Sequence, residues 1–271
     1  MFTITRNGLE AIQKDLGVIS NNIANANTNG FKRSRSEFVD MYSKALSDNP
    51  NNQSGLGALF QGTQKQMIQG SPIMTGGALD LNISGRGFFV LSPKVGSEAR
   101  FTRDGSMGLD AYGNLITTDG FNIAGYKRDE IDGIVKTVAE PINIPLSITN
   151  NEGRTVTLTA IGVDPEGNIE TTYGLNNIIR RGQIALAKFS NETALKSVGA
   201  NTYKATQKSG EQVLGSGLEG NFGEIISGAL ESSNTNISNE MVSLLKTQQA
   251  FNGNARILQT SVDVTKILMG N

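Results

Sequence analysis

Two short stretches combine a carboxylate, a glycine and an asparagine in an order that suits either a metal-binding loop or a tight turn. They are Asp110-Ala-Tyr-Gly-Asn114 and Asp164-Pro-Glu-Gly-Asn168, and two more acids, Asp104 and Asp119, flank the first. Such oxygens are ligands that Ca²⁺ accepts, but the EF-hand spacing with its late glutamate is absent. Because Asp and Asn side chains also hydrogen-bond their own backbone in turns, we interpret both stretches as structural turns and predict no metal site.

The sequence contains neither histidine nor cysteine. This composition excludes disulfides, thiolate metal sites and the Ser-His-Asp triad, and it removes the most frequent general base and zinc ligand. The stretch Gly85-Arg-Gly87 resembles the start of a dinucleotide-binding loop, but the third glycine is missing, so a tight turn between strands is favoured. We predict no catalytic residue and no cofactor, and we expect that the protein is not an enzyme.

Charge and hydropathy bear on the partners. The 24 Lys and Arg nearly balance the 25 Asp and Glu, so a nucleic-acid partner is not indicated. The basic cluster Lys32-Arg-Ser-Arg35 is expected to complement the dipole of a preceding helix, or acidic groups on a neighbouring subunit. The longest apolar run, Phe88–Leu91, is too short to span a bilayer, and the first residues do not resemble a signal peptide, so we predict no membrane insertion.

The elements that must position these residues are clearest at the ends of the chain. Near the N-terminus, apolar residues recur in steps of three and four, which is a heptad pattern and predicts a helix. This N-terminal seam comprises Leu9, Ile12, Leu16, Ile19 and Ile23. Asn27, Asn29 and Gly30 tolerate the left-handed backbone that a helix end requires, and Phe31 suits the apolar contact that often closes such an end.

The last segment repeats the pattern and predicts a second long helix. Thr235 or Asn236 can cap its start, and Glu240 lies in the first turn, where it complements the helix dipole. This C-terminal seam comprises Ile237, Met241, Leu244, Gln248, Phe251, Ala255, Leu258, Val262, Thr265 and Met269. Both seams are narrower than the usual core-facing stripe. They could pack on the middle of the chain, but we favour pairing of the two helices as a coiled coil that also contacts neighbouring chains.

Gly-, Thr- and Val-rich runs bounded by turn signals predict a β-rich middle, from about residue 76 to 223. Half-buried strands are expected at 79–83 and 155–161 and a buried strand at 88–91. Turns are expected at Asp132-Gly133, Asp164–Gly167 and Ser209-Gly210. Residues 107–120 and 161–174 are identical at seven of fourteen positions and form an internal repeat, each copy predicting strand, turn and strand. We interpret residues 47–77 as a linker with one or two short strands.

The asparagines of the first helix raise a separate hypothesis. Asn is a poor helix former, yet Asn21, Asn22 and Asn25 follow one another closely. Their uncharged amides both donate and accept, so they suit hydrogen bonds to several crowded neighbours in an assembly. Burial of the two narrow seams provides less free energy than ordering the backbone of the helices costs in entropy. We therefore expect the helices to be disordered in the free monomer and to order on assembly.

Four stretches together resemble the bacterial flagellar rod and hook protein family, in the order and over nearly the whole length that the family shows. They are Val18–Arg33 (VISNNIANANTNGFKR), Leu79–Phe89 (LDLNISGRGFF), Phe101–Ser106 (FTRDGS) and Leu230–Phe251 (LESSNTNISNEMVSLLKTQQAF). The resemblance implies a structural axial subunit whose terminal helices form an inner coiled-coil tube beneath an outer β-domain. It also implies helical homopolymers, other rod and hook proteins as neighbours, and type III export without a cleaved signal peptide.

The expected fold class is therefore α+β with a mainly β middle. We divide the chain into a helical domain (1–35 with 232–271), a linker region (36–78 with 215–231) and an outer β-domain (79–214). The resemblance places lateral contacts of the assembly on a set of motif residues. These are Asn21, Asn22, Asn25, Asn29, Gly30, Phe31, Asn234, Glu240 and Gln248.

The subtype stays open at this point. Hook proteins are typically longer, which favours a rod protein of the proximal or distal kind, although Glu37–Tyr42 and Phe121–Tyr126 look hook-like. A different class, a secreted β-rich adhesin with oligomerising terminal helices, would keep its seams in a closed bundle and expose a ligand-binding surface. Deletion of either terminal helix separates these classes, because it should abolish the polymerisation of a shaft protein while its β-domain stays folded.

Overall fold

The computed structural model describes residues 2–42, 55–92, 98–129, 133–134, 139–149, 154–174 and 177–270. The helices are α1 (Phe2–Ala24) and α2 (Ile237–Leu268), and a short 3₁₀ turn spans Glu192–Ala194. The first strands are β1 (Ser34–Tyr42), β2 (Gly55–Lys65), β3 (Pro72–Met74), β4 (Leu81–Ser84), β5 (Phe88–Leu91), β6 (Arg100–Thr102), β7 (Met107–Leu109), β8 (Leu115–Thr117), β9 (Ala124–Asp129), β10 (Gly133–Ile134) and β11 (Glu140–Pro141). The later strands are β12 (Ser147–Thr149), β13 (Thr155–Val163), β14 (Asn168–Tyr173), β15 (Asn177–Ile184), β16 (Leu186–Lys188), β17 (Lys196–Ser197), β18 (Thr202–Lys204), β19 (Val213–Gly215), β20 (Glu224–Ser227) and β21 (Ala229–Glu231).

Terminal helices on either side of a β-rich middle confirm the expected α+β class. The chain forms two compact units. The helical unit comprises residues 1–26, 33–66 and 235–271, and the β-rich unit comprises 27–32 and 67–234. Of the expected linker region, residues 36–66 belong to the helical unit, and residues 67–78 and 215–231 belong to the β-rich unit. The three-part division stays a prediction.

The helical unit contains α1, α2 and an antiparallel hairpin of β1 and β2. The hairpin runs from the Ser34–Lys65 pair outward and has a bulge between Glu37 and Phe38. Its strands are longer than the short strands expected in the linker region, because strand pairing supplies order that no regular apolar pattern indicates. Residues 43–54 of that region lie outside the described residues. No described helix is long and apolar enough to cross a membrane.

The N-terminal helix ends earlier than its sequence suggests. It stops at Ala24, and the following residues form turns rather than extending the helix to residues 27–30. Gly30 does adopt the left-handed backbone, with φ of 67°. The reason is a close approach, since a Cβ at Gly30 would lie 2.6 Å from the backbone nitrogen of Asp104. Gly30 thus serves packing within the β-rich unit and does not cap the helix.

The β-rich unit has two larger sheets in the described part of the chain. One has the strand order β17-β18-β6-β5-β16-β19, and the other has the order β10-β9-β15-β14-β13-β12, with β11 also paired to β9. Three smaller pairs, β20-β4, β21-β3 and β7-β8, complete it. All the pairings are antiparallel, which suits strands joined by short turns.

The core of this unit lies on both faces of β5. Phe89 and Leu91 belong to one apolar cluster, and Phe88 and Val90 belong to another. Successive side chains of a strand point to opposite faces, so a strand covered on both sides must be apolar throughout. This confirms the prediction of a buried strand at residues 88–91.

Other strand and turn predictions have mixed outcomes. The alternating run at 155–161 is the half-buried strand β13, as expected. The run at 79–83 is more buried than the expected half-buried strand, since Leu81 and Ile83 belong to an apolar cluster and Asn82 between them is buried as well. The stretch Gly85–Gly87 links β4 to β5 as a tight turn. The turn at Ser209 is confirmed, and Asp132 lies outside the described residues.

The repeat forms two matching hairpins, β7-β8 and β13-β14. In the first turn, Oδ1 of Asp110 accepts hydrogen bonds from the backbone nitrogens of Tyr112 and Asn114, and its Oδ2 accepts from the amide of Asn114. In the second turn, Asp164 accepts the same set from Glu166 and Asn168. Both carboxylates are engaged by their own turns, which confirms the interpretation as structural turns.

Candidate assembly surface

The N-terminal seam lies on the inner side of the helical unit. Ile19 is buried, and Leu9, Ile12, Leu16 and Ile23 are half-buried. α1 packs against α2 and against the β1-β2 hairpin. Five residues in heptad spacing are thus brought together on one face, as an amphipathic helix requires.

The C-terminal seam divides into a packed part and an exposed part. Leu244, Phe251, Ala255 and Leu258 are half-buried. The other predicted members are exposed, and they are Ile237, Met241, Gln248, Val262, Thr265 and Met269. The packed face of α2 is completed instead by polar residues, Glu240 and Thr247.

α2 therefore presents an exposed apolar surface along most of its length. Met241 is 52% exposed, and Val242 and Leu245 are exposed near it. A second stretch, toward the end of the helix, contains the exposed residues Ile257, Val264, Ile267 and Leu268. Groups of exposed apolar side chains mark contact surfaces for other molecules, and these two stretches of α2 are the candidates here.

Polar contacts hold the helical unit together where its apolar contacts are few. The side chain of Asn22 is 2% exposed; its Nδ2 donates to the carbonyl of Ser34 at 2.8 Å and its Oδ1 accepts from the nitrogen of Ser34 at 2.9 Å. The same Nδ2 donates to Glu240 at 3.2 Å, and Arg33 lies 3.5 Å from the other oxygen of Glu240. Asn22 thus makes its contacts within the chain, and the expected lateral contact at this residue stays a prediction.

The other asparagines of α1 differ from Asn22 in their exposure. Asn21 is exposed. Asn25, which is half-buried, donates to the carbonyl of Asn21 at 2.9 Å. At the start of α2, Asn236 accepts from the nitrogen of Asn239 and caps the helix, and Glu240 lies in the first turn, both as predicted.

The remaining motif residues lie in the β-rich unit. Asn29 accepts a hydrogen bond at its carbonyl from the amide of Asn201, at 2.9 Å. Phe31 is buried, and its carbonyl accepts from the backbone nitrogen of Asn234. The amide of Asn234 donates to the carbonyl of Ile68 at 2.9 Å. These residues hold together the segments that lead to the two helices.

A buried ion cluster is the feature that sequence reasoning missed. Lys32 lies 2.5 Å from Glu231, and Arg103 lies 3.3 Å from the other oxygen of the same carboxylate. Glu231 also accepts from the nitrogen of Gly70, and Lys32 also donates to the carbonyl of Ile68. Lys32 was expected to complement a helix dipole; instead the early end of α1 leaves it inside the β-rich unit, paired with a carboxylate.

Burial and charge act in opposite directions in this cluster. Burial lowers the pKa of the Lys32 ammonium, and Glu231 opposes this shift. Arg103 is held by the carbonyl of Gly85 at 2.8 Å and lies over the ring of Phe88. A buried charge without an opposite charge nearby is strongly destabilising. The cluster therefore favours the arrangement in which the segments of Lys32, Arg103 and Glu231 lie together. No spacing rule links residues so far apart in sequence, although Lys32, Arg103 and Glu231 all fall in the motifs quoted above.

The fold and these motifs place the chain in a known class of protein. It belongs to the flagellar basal-body rod and hook protein family and is a structural subunit of the flagellar axial structure. Three family profiles match it in chain order. They are "Flagella basal body rod protein" at residues 3–32, "Flagellar hook protein FlgE/F/G D1 domain" at 82–175 and "Flagellar basal body rod FlgEFG protein C-terminal" at 226–269.

Individual relatives show two kinds of similarity. The chain is 34% identical to the flagellar basal-body rod protein FlgG of Buchnera aphidicola subsp. Acyrthosiphon pisum, covering 95% of this chain and 94% of the relative. It is 31% identical to the FlgG of Bacillus subtilis, over 97% of this chain and 95% of the relative. The flagellar hook protein FlgE of Helicobacter mustelae is 43% identical, but over 46% of this chain and 30% of the relative.

Proposed function

We propose that this protein is a subunit of the flagellar rod, which polymerises helically into a hollow shaft that transmits motor torque and passes exported subunits. The observation that carries the rod assignment is the extent of similarity. Rod relatives match along almost their whole length, whereas the hook relative matches along 30% of its own. A short hook protein is the second candidate, because the matched part of the hook relative has the higher identity.

The exposed apolar surface of α2 supports polymerisation. Ile237, Met241 and Val262 belong to the heptad pattern but are exposed in the single chain. Burying apolar surface contributes about 25 cal/mol per Å², so a neighbouring copy that covers these residues would stabilise the contact between the two copies. The lateral-contact role remains part of the proposal for the motif residues that are exposed or half-buried, which are Asn21, Asn25, Asn29, Asn234 and Gln248.

Partners and location follow from the same proposal. The subunit contacts its own copies and other rod and hook proteins above and below, and it leaves the cell through the type III export apparatus without cleavage of a signal peptide. Its role is structural, without catalysis, metal or cofactor. In the adhesin alternative the helices would be self-contained, and the exposed apolar surface of α2 speaks against that.

The test compares two single substitutions on α2 in the bacterium that supplies the gene. Met241→Glu places a carboxylate in the exposed apolar surface, where a neighbour should bury it without a partner. Ser243→Glu adds the same charge at an exposed position on α2. The helix neighbours of Ser243, three and four residues away, are the polar residues Asn239, Glu240, Lys246 and Thr247, so this position lies outside the exposed apolar surface. We expect Met241→Glu to abolish swimming and rod formation in electron micrographs, and Ser243→Glu to retain both.

Circular dichroism of the purified variants checks that each keeps its fold. Swimming by the Met241→Glu strain, with intact rods, would overturn the proposed assembly surface. An antibody against the purified protein then separates rod from hook. A rod subunit is labelled only after the cell envelope has been opened, whereas labelling outside intact cells would show a hook protein.

A further inference from the structure

The two repeated turns make equivalent contacts with the strand segments that follow them. In the first turn, the carbonyl of Gly113 accepts a hydrogen bond from the nitrogen of Ile144 at 2.6 Å. In the second turn, the carbonyl of Gly167 accepts from the nitrogen of Ile184 at 2.8 Å. Both glycines adopt the left-handed backbone and both isoleucines are fully buried. The likeness therefore extends beyond the repeated sequence into its surroundings.

The residue before each isoleucine also plays the same part. The amide of Asn143 donates to the carbonyl of Tyr112 at 3.0 Å. The amide of Gln183 donates to the carbonyl of Glu166, also at 3.0 Å. Tyr112 and Glu166 occupy the same place at the tips of their turns. Contacts of the second turn therefore indicate which kind of segment the first turn can bind.

One contact of the second turn has no counterpart at the first. The carbonyl of Pro165 accepts a hydrogen bond at 3.0 Å from the nitrogen of Ile225, which lies in β20. The side chain of Ile225 lies over Gly167, where an added Cβ would come within 2.9 Å of it. An extended segment with an outward N–H and an aliphatic side chain thus covers this turn.

The first turn differs from the second at both places. The backbone of Ile144 and Pro145 fills the space over Gly113, whereas the carbonyl that corresponds to that of Pro165 is open. Ala111 takes the place of Pro165, and no donor reaches its carbonyl among the described residues. Ala111 and Tyr112 are both exposed, as are Pro165 and Glu166 in the second turn. The two turns therefore differ in the donor at the carbonyl and in the side chain at the tip, where Tyr112 is 84% exposed. A large aromatic ring held outward on a hydrogen-bonded turn is thus presented beside a free backbone acceptor.

The same chain carries an extended segment with the required features. β3 pairs only with β21 in the described part of the chain. The carbonyl of Ser71 accepts from the nitrogen of Ser232, and the nitrogen of Thr75 donates to the carbonyl of Gly228. Because every second residue of an antiparallel strand bonds to the partner strand, the N–H of Met74 points away from β21. Met74 is 75% exposed and Ile73 is 51% exposed. β3 is therefore an open edge with one outward donor and two exposed apolar side chains.

We propose that the turn at Ala111 and Tyr112 of one copy receives β3 of a second copy, in the way that the turn at Pro165 receives β20 within the chain. The N–H of Met74 donates to the carbonyl of Ala111, and the thioether of Met74 packs on the ring of Tyr112. The two patches differ, so the contact is heterologous and repeats along an open helical assembly. This inference rests on the proposed polymerisation and names one of its contacts.

The absence of cysteine from the natural sequence makes a direct test possible. Two single-cysteine variants, Tyr112→Cys and Met74→Cys, are co-expressed in the bacterium that supplies the gene, and isolated basal bodies are treated with a short bismaleimide. Since the cysteines are on separate chains, a crosslink of this pair can only join two copies. The matched control replaces Tyr112→Cys with Glu166→Cys, which is also exposed and occupies the same place in the second turn, where β20 already occupies the carbonyl of Pro165. A third pair, Ala111→Cys with Met74→Cys, retains the Tyr112 ring.

We expect the Tyr112 and Ala111 pairs to give a dimer at least tenfold more abundant than the Glu166 control, with the crosslink mapped to both cysteines by mass spectrometry. Basal bodies that contain the protein but give no such excess would overturn this contact and leave the proposed function intact. Adducts of Tyr112→Cys to a different protein would overturn the second copy as the occupant. Absence of the protein from basal bodies would overturn the proposed function and this inference together.

Discussion

The two compact units of this chain bury their residues in different ways. The β-rich unit contains two apolar clusters that meet at β5. In the helical unit, the buried residue of α2 is a carboxylate, Glu240, and the buried residues of α1 include Thr5 and Asn22. One unit has a hydrophobic core of its own, whereas the other is linked by polar contacts and leaves an apolar surface exposed.

This difference indicates which unit can fold within one chain and which unit depends on contacts with other chains. The β-rich unit satisfies its apolar residues within one chain, so it has the means to fold as a monomer. In the helical unit, six of the ten residues of the C-terminal seam are exposed. Because most of the stability of a helix in a protein comes from packing of its apolar face, α2 gains little of it within one chain. The expectation that the helices order on assembly stays a prediction, and the following experiments test it.

The largest effect is expected in the β-rich unit, at the buried ion cluster. Glu231→Ala leaves Lys32 and Arg103 buried without their carboxylate. Removing one partner of a buried pair costs about 3–5 kcal/mol, so the free energy of unfolding should fall by that amount in urea titrations. The exposed Glu211→Ala serves as the control and should stay within about 0.5 kcal/mol. A loss at Glu231 no larger than that of the control would show that the cluster does not hold this unit together.

Hydrogen exchange compares the two units directly. In the free protein, backbone amides of α2 should exchange at least about 100-fold faster than those of β5, because α2 has few buried contacts. In isolated basal bodies the α2 amides should become as protected as those of β5. Equal protection in the free protein would favour a closed bundle and weaken the case for folding coupled to assembly.

A smaller effect is expected within the helical unit. Asn22→Ala removes both hydrogen bonds to the backbone of Ser34 and the bond to Glu240. Leaving buried polar groups without partners costs about 1–3 kcal/mol, which limited proteolysis of α1 in isolated basal bodies should show as faster cleavage. Asn21→Ala, at an exposed neighbouring position, should leave the rate unchanged. Equal rates for the two variants would contradict the role assigned to Asn22.

The smallest effect concerns the start of α2. Asn236→Ala removes the side-chain acceptor for the nitrogen of Asn239 and should lower the stability of the helix by about 1 kcal/mol. Asn236→Asp retains an acceptor and should restore the stability. Helix content measured by circular dichroism against temperature distinguishes them, and identical melting of all three proteins would show that the cap has no effect.

Sequence patterns predicted the elements that depend on local order. Heptad spacing gave both helices, the apolar run gave β5, and the repeated turns were found from their Asp, Gly and Asn residues. Each of these rests on residues within a few positions of one another. The cap at Asn236 and the first-turn acid Glu240 were predictable for the same reason.

The features that were missed depend on distant residues. The hairpin of β1 and β2 forms from polar strands whose partner supplies the order. The packed side of α2 includes Glu240 and leaves out Met241, because contacts with Asn22 and Arg33 decide the rotation of the helix more than hydropathy does. Nothing in the sequence pairs Lys32 with Glu231.

That pairing has a consequence for the order in which the molecule is completed. Glu231 receives hydrogen bonds from Lys32, Gly70 and Arg103, which precede it by 199, 161 and 128 residues. During synthesis, which starts at the N-terminus, Lys32 and Arg103 are therefore made long before Glu231, the carboxylate that pairs with both. Contacts of such long range form slowly, so the β-rich unit closes as a late event. A chain that stops short of residue 231 lacks the group on which this closure depends.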